Sequence, residues 1–174
     1  MAVDPSGIAA LRDVEQVRSV KTPIRLDYSY TAGIAQTKFL RAIEQKRLIG
    51  QRCPKTGHVY VPSRGASPES GLPTEGEVEL AHVGTVTTYC IVNVQFYGQA
   101  MEVPYVSAHV LPDGADIPLF GLIQEIDPSE IRMGLRVEAV WVPDEELTTS
   151  LANIKWWRPN GEPDADYETY RHHV

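Results

Sequence analysis

Apolar and polar residues alternate with period two through much of the second half of the chain. Over 84–96, Val86, Thr88, Cys90, Val92 and Val94 fall on one side, and Thr87, Tyr89, Ile91 and Asn93 on the other. That spacing is the mark of a half-buried strand. Over 103–111, Val106, Ala108 and Val110 oppose Tyr105, Ser107 and His109, and Asp113-Gly114 then signals a turn. IPLFGLIQEI, GLRVEAVWV and LANIKWW follow, separated by DPSE and PDEE. Five short strands with tight punctuation predict a small closed barrel over 77–158. GLRVEAVW is the ambiguous member, since it can also be written as a short helix.

The first half reads differently. Residues 34–49 predict a helix, with Phe39, Leu40 and Ile43 on one face, Lys38, Arg41, Glu44 and Gln45 on the others, and Gly50 marking its end. Before it, residues 1–33 form a mixed arm. Ser6 is placed to cap a short helix carrying Ile8, Leu11 and Val14, Pro23 breaks what precedes it, and RLDYSYTAG is polar and aromatic. The arm suits either a segment lying on another surface or a partly ordered tail. Residues 50–76 are rich in Gly, Pro and Ser and predict loop with one hairpin at HVYV. A loop this long inside a domain needs an organiser: a metal, a partner or an inherited scaffold. The tail, 159–174, is polar and predicts a flexible segment or one docked on a partner.

Composition narrows the classes. The 174 residues are 43% hydrophobic and 22% charged, which suits a folded globular chain. No apolar run reaches the roughly 18–20 residues of a membrane span. The N-terminus mixes charge into every turn and does not read as a secretory signal. Two cysteines do not make a disulfide scaffold, so a cytoplasmic location is expected. With 16 basic and 23 acidic residues the net charge is −7, which argues against a general phosphate-binding surface.

The chemistry-bearing pattern lies at 53–71. Cys53-x-x-Thr56-Gly57 is followed by Ser67-x-x-Ser70-Gly71. A zinc ribbon carries paired C-x-x-C knuckles, because four thiolates close a tetrahedral site. Here three of the four positions hold hydroxyls, and one Cys with neighbouring His58 is too few. No metal is expected. The order FLRAIEQKRLIGQRC, CPKTG, VYVPSR, SPES, GTVTTYCIVN, VPYVSAHVLPDG, IPLFGLI and MGLRVEAVWV resembles the zinc-ribbon plus OB-fold family named domain of unknown function 35, also called acyl-CoA-associated. The resemblance covers 34–158. It rests on Lys46-Arg47-Leu48, Tyr60-Val61-Pro62-Ser63-Arg64, Gly84-Thr85-Val86, Pro104-Tyr105 and Gly134-Leu135-Arg136-Val137. It implies a mainly β chain: a five-stranded OB-fold barrel (77–158) preceded by an α-helix and a degenerate rubredoxin-like zinc ribbon (34–76).

The resemblance also implies a function. Such chains resemble small, non-catalytic subunits of thiolase-fold enzymes, the lipid-transfer-type thiolases or aldolases that cleave carbon–carbon bonds of acyl-CoA or steroid side chains. The partner would hold the catalytic groups, and this chain would stabilise it and shape the CoA channel, as a heterotetramer with two copies of each. No cofactor would be tightly bound; a coenzyme A thioester would be the shared substrate. Arg64, with Lys55 and Arg52 nearby in sequence, is the candidate contact for CoA phosphates, because a guanidinium fork suits a phosphate. No catalytic residue is expected: the chain has no nucleophile elbow, P-loop, dinucleotide fingerprint or H-E-x-x-H string. His82 and His109 read as structural, Cys90 as buried and inert, and Cys53 as freer, with His58 its one nearby partner. Asp144, Glu145 and Glu146 read as a solvated turn. Trp156 and Trp157 must face opposite ways on a strand. Tyr28, Tyr30, Trp157 and Tyr167 are the candidate interface anchors; alternatively, the arms fold back over the outward Trp. Two rival functions remain: an OB protein that stacks single-stranded nucleic acid on its aromatics, and a stand-alone acyl-CoA enzyme using His109 or Cys53.

Overall fold

Helix α1 (Gly33–Ile43) opens the folded region of a computed structural model that describes residues 15, 17–22, 24–99 and 101–174. Pro23 and the short helix expected from Ser6 to Val14 lie outside the described residues. The chain divides into two units, Met1–Thr31 and Ala32–Val174. In the first, residues 24–31 form no helix or strand and are exposed. The Tyr28 and Tyr30 rings meet at 6.4 Å, and Arg25 pairs with Asp27.

Helix α1 buries Phe39, Ala42 and Ile43 but stops six residues short of the expected end at residue 49. Lys46 takes a left-handed conformation (φ 55°) and turns the chain. Leu48–Arg52 then forms strand β1, in which Leu48, Ile49, Gly50 and Gln51 are all buried. A helical stripe would bury only some of these four. Gly50 is therefore mid-strand and not a helix end. Strands β2 (Val59–Tyr60) and β3 (Glu75–Leu80) flank β1 antiparallel, giving a three-stranded sheet in the order β2-β1-β3. The expected hairpin at HVYV is the β1–β2 pair, with Gln51 opposite Tyr60.

Five further strands close on themselves: β4 (Val83–Val92), β5 (Tyr105–Pro112), β6 (Leu119–Ile123), β7 (Arg136–Trp141) and β8 (Ile154–Pro159). Their order is β4-β5-β6-β8-β7, with β7 returning to β4, the arrangement of an OB fold. The GLRVEAVW stretch is strand β7. Val86, Val106, Val110, Ile123, Val137 and Trp157 fill the interior.

Two expectations fail inside this ring, each for a local reason. Val86 pairs with Val110, but Thr88, not Thr87, pairs with His109. Thr87 is a bulge residue, and it is fully buried. A bulge shifts the side-chain alternation by one. Beyond it Ile91 packs on the core, and Cys90, expected to be buried, is exposed. The second case is Trp157. It is 1% exposed and lies in the core, so it does not serve as an interface anchor of this chain. Its indole occupies the space a Cβ at Gly121 would need: such a Cβ would stand 2.9 Å from Trp157 Nε1 and Cδ1. Trp156 is the outward one, donating from Nε1 to Glu125 at 3.0 Å and carrying Lys155 4.9 Å from its ring centroid. These two side chains flank it.

Helix and ring are tied together by Asn153. Its buried Nδ2 donates to Ile43 O at 3.1 Å and to Thr148 O at 2.6 Å. Its Oδ1 accepts from Thr148 N at 3.0 Å. The polar tail is docked too, but on its own ring. Ala165 N donates to Gly134 O at 2.8 Å, Arg132 pairs with Asp164 at 2.6 Å, and Tyr170 is buried with its hydroxyl near Gly134.

Candidate functional site

Residues 53–58 and 67–72 fold as two copies of one turn. Cys53 N donates to His58 O at 2.8 Å, and Ser67 N to Leu72 O at 2.8 Å. Gly57 N donates to Cys53 O at 2.9 Å, and Gly71 N to Ser67 O at 2.9 Å. Thr56 N points at Cys53 Sγ (3.4 Å), and Ser70 N at Ser67 Oγ (3.3 Å). Gly57 and Gly71 both take positive φ, +80° and +68°, which a side chain there would resist. The sequence repeat C-x-x-T-G and S-x-x-S-G is thus a repeat of structure.

The turns bring their four side chains to one point. Cys53 Sγ lies 3.4 Å from Ser70 Oγ, and the Ser67 hydroxyl meets Tyr60 OH at 3.2 Å. Hydrogen bonds from Ser67, Ser70 and Thr56 hold the Cys53 thiol down to about 6, against burial, which pushes it up. The donor set does not fit zinc: one thiolate and three neutral hydroxyls cannot supply the ligands of a closed tetrahedral site. Among the described residues no group of three or more His, Cys, Asp and Glu side chains converges. A hydrogen-bonded cluster stands at the point where metal ligands would meet.

Cys53 is not freer, as the sequence suggested, but fully buried, so no substrate reaches it. His58 turns away to Glu69, with Nδ1 2.8 Å from Oε1, and this carboxylate raises its proton affinity. The Cys53 thiol meets Ser70 and Thr56 and not the His58 ring. His109 is exposed on β5, where Nδ1 meets Thr88 Oγ1 at 3.0 Å and its ring meets Phe120 edge-on at 5.7 Å. His82 packs against Trp141 with ring centroids 4.9 Å apart and planes tilted by 56°, and burial lowers its proton affinity.

The cations chosen from sequence do not share a cavity. Arg64 lines a groove of about 740 Å³ with Gly33, Ile34 and Lys38 of α1, and with Gln51 and Thr74. Neither Arg52 nor Lys55 lines it. Arg52 donates to Gly57 O at 2.7 Å across the first turn, and Lys55 is exposed on that turn. Of the proposed anchors, Tyr28, Tyr30 and Tyr167 are exposed. Tyr167 packs edge-on against Tyr170 at 5.5 Å.

Sequence reasoning missed two sets of residues. One is Arg136, which grips Asp113 through both terminal nitrogens at 2.6 Å, Glu162 at 3.0 Å and Thr85 Oγ1 at 3.0 Å, and so ties the tail to β4 and to the turn after β5. The other is an apolar set: Val94, Phe96 and Tyr97 after β4, and Phe120 on β6. The signal for it was available. From Gly65 to Ile131 the chain has no lysine or arginine, so large apolar residues there have no cationic neighbours in sequence.

Comparison with known proteins adds to this geometry. The profile described as "ChsH2, C-terminal OB-fold domain" matches residues 77–142. A DUF35 domain-containing scaffold protein of Methanocaldococcus jannaschii is 39% identical over 100 residues, which cover 56% of this chain and 70% of that protein. Among solved structures, the Ltp2-ChsH2(DUF35) aldolase superposes with a TM-score of 0.54 at 24% identity, over 73% of this chain and 95% of that one. A DUF35 protein of unknown function from Sulfolobus solfataricus gives 0.51 at 18% identity, over 70% and 81%. At these identities the two structures speak to the fold alone. Among the described residues no helix is long and apolar enough to cross a membrane.

Proposed function

Because the chain belongs to the DUF35 family of OB-fold proteins, we propose that it is a non-catalytic scaffold subunit of a thiolase-fold enzyme of the lipid-transfer type. The reaction served is carbon–carbon cleavage of an acyl-CoA, retro-aldol or thiolytic, in the cytoplasm. The observation that carries this reading is the state of the groups that could do chemistry. Cys53 is buried in a cage of hydroxyls, His58 is engaged by Glu69, and His109 meets the Thr88 hydroxyl and the Phe120 ring, with no carboxylate bonded to its other nitrogen to orient it among the described residues. General acid–base or nucleophilic catalysis needs such groups within hydrogen-bond reach of one another and open to substrate. The chemistry then belongs to a partner. The scaffold designation of the archaeal relative and the aldolase complex among the structural neighbours support the same reading.

Coenzyme A enters this reading through the groove beside α1. Arg64 is exposed there, next to the N-terminal end of an eleven-residue helix and to Lys38, a setting suited to an anionic group. Arg52 and Lys55 stand outside the groove and serve at most the periphery. Two copies of each subunit would follow from a dimeric partner carrying one scaffold chain per protomer. Tyr28 and Tyr30 are the arm residues that would gain burial; Tyr167 already packs edge-on against Tyr170 within the tail.

Binding of single-stranded nucleic acid is the weaker reading. The OB face has aromatics, but strands β4, β5 and β6 contain no lysine or arginine to neutralise phosphates.

The test is co-expression with a lipid-transfer-type thiolase-fold protein, then size exclusion and an acyl-CoA cleavage assay. Co-elution, with activity that needs both chains, supports the reading. Separate elution, with a partner equally soluble and active alone, refutes it. Arg64→Ala is expected to weaken acyl-CoA binding by the complex about tenfold, the loss of one charge-assisted phosphate contact. Unchanged affinity would remove Arg64 from the account and leave the scaffold role standing.

A further inference from the structure

The outer surface of β4, β5 and β6 differs from the rest of the molecule. Cross-strand pairing sets two outward rows, Thr88–His109–Phe120 and Cys90–Ser107–Leu122. The three strands carry no Asp, Glu, Lys or Arg. Phe120 is 67% exposed, and after β4 the chain presents Val94 (76%), Phe96 (64%) and Tyr97 (93%). Isolated exposed apolar residues are ordinary, but several bulky ones on one strand face and the loop that leaves it, in a chain of net charge −7, call for an occupant.

We infer that this face is where the partner subunit docks, and that the partner meets it with a neutral, apolar protein surface. The inference rests on the scaffold reading above and goes beyond it by assigning the surface. Charge selects the occupant. The three strands have no fixed charge and the segment between β4 and β5 has only the carboxylate Glu102, so the face offers no cation to phosphates, and the strand surface desolvates no ion when an uncharged protein face covers it. Extent agrees. Three aromatics of about 150–250 Å² each, mostly exposed, with Val94, offer on the order of 500 Å² of side chain alone. A standard interface takes roughly 800 Å² from each partner, and the strand residues between would supply the remainder. Aromatic side chains are also the usual anchors of such contacts.

The protein carries its own reporter. Cys53 is buried and Cys90 is exposed on this face, so the native chain offers one accessible thiol. The experiment measures maleimide labelling of Cys90 in the free full-length chain and in its complex with a co-expressed lipid-transfer-type thiolase-fold protein. Labelling is expected to slow at least about tenfold in the complex. Phe120→Asp is expected to weaken co-elution by a similar factor at an unchanged thermal midpoint, while Arg171→Ser, on the tail, leaves co-elution intact. If the complex forms, but Cys90 labels at the free rate and Phe120→Asp co-elutes like the parent, the inference is overturned and the scaffold reading survives. If the parent forms no complex, the scaffold reading fails and takes the inference with it. If an oligothymidylate protects Cys90 without any partner, the face is a nucleic-acid site and the inference is again overturned.

Discussion

The two sides of the OB ring are built from similar strands and finished in opposite ways. On the side of β7 and β8, charges are paired one by one. Arg158 meets Glu138 at 2.8 Å and Glu125 at 3.4 Å, Arg136 joins Asp113 to Glu162, and Arg132 holds Asp164. The tail lies across this region and buries Tyr170. Strands β4, β5 and β6 themselves contain no charged residue, and Phe120 and Cys90 on them are exposed. One side is closed by the chain's own tail, and the other is left apolar. Docking of a partner subunit on the apolar side, as proposed above, would account for this asymmetry.

The largest effect is expected where both sides meet, in the interior. Trp157→Ala should lower stability by about 3–5 kcal/mol, as large core truncations do, whereas Trp156→Ala should cost less than about 1 kcal/mol. Denaturant midpoints would check this, and similar losses at both sites would contradict the placement of Trp157 inside and Trp156 outside.

A middle effect should open the closed side. Arg136→Met removes charge-assisted bonds to Asp113 and Glu162. Each such bond contributes roughly 1.5–3 kcal/mol when well shielded; with the acidic partners half exposed, about 1–2 kcal/mol is expected in all. Trypsin should then cleave at Arg171 faster, while maleimide labelling of Cys90 stays unchanged. A change at Cys90 would mean that the two sides are not independent.

Cys53→Ser should change stability by about 1 kcal/mol or less at pH 6, because one small polarisable group replaces another in the same hydroxyl cage. Its pH dependence has a definite sign. The folded thiol ionises near 6, below the roughly 8.5 of a free cysteine. The unfolded chain therefore holds its proton between these values, and stability from this group rises from about pH 6 to about pH 8.5. It is fully present above that window and lost as pH falls through 6. The parent should gain on Cys53→Ser across this window. Thiolate absorbance of the folded protein, with Cys90→Ser removing the second thiol, should titrate near pH 6; a midpoint near 8.5 would contradict the cage.

The smallest stability effect belongs to the bare side. Phe120→Ser should shift stability by no more than about 0.5 kcal/mol, since the ring is mostly in water already. A loss above about 2 kcal/mol would mean that Phe120 is held by the chain itself.

Much of this was legible in the amino-acid order. Period-two alternation located β4 and β5, and the C-x-x-T-G and S-x-x-S-G strings announced two matching turns. What escaped has specific causes. A single bulge residue, Thr87, moved Cys90 from the interior to the surface, and an inserted residue leaves no mark on an alternating string. Leu48 and Ile49 suit a helix or a buried strand equally, and the turn at Lys46 decided between them. Alternation required Trp156 and Trp157 to oppose each other but not which one entered; the space at Gly121 settled that. The charges of the tail were visible, but their partners Arg132 and Arg136 lie 32 and 26 residues away.

Hydrogen exchange of the free chain against its complex with a lipid-transfer-type thiolase-fold partner tests the account most directly. The account predicts protection gained over β4 beyond Thr88, the loop through Phe96 and Tyr97, and β5 and β6, with the tail from 160 to 174 unchanged. Protection confined to the tail and β7–β8, with the β4–β6 side exchanging as in the free chain, would contradict it.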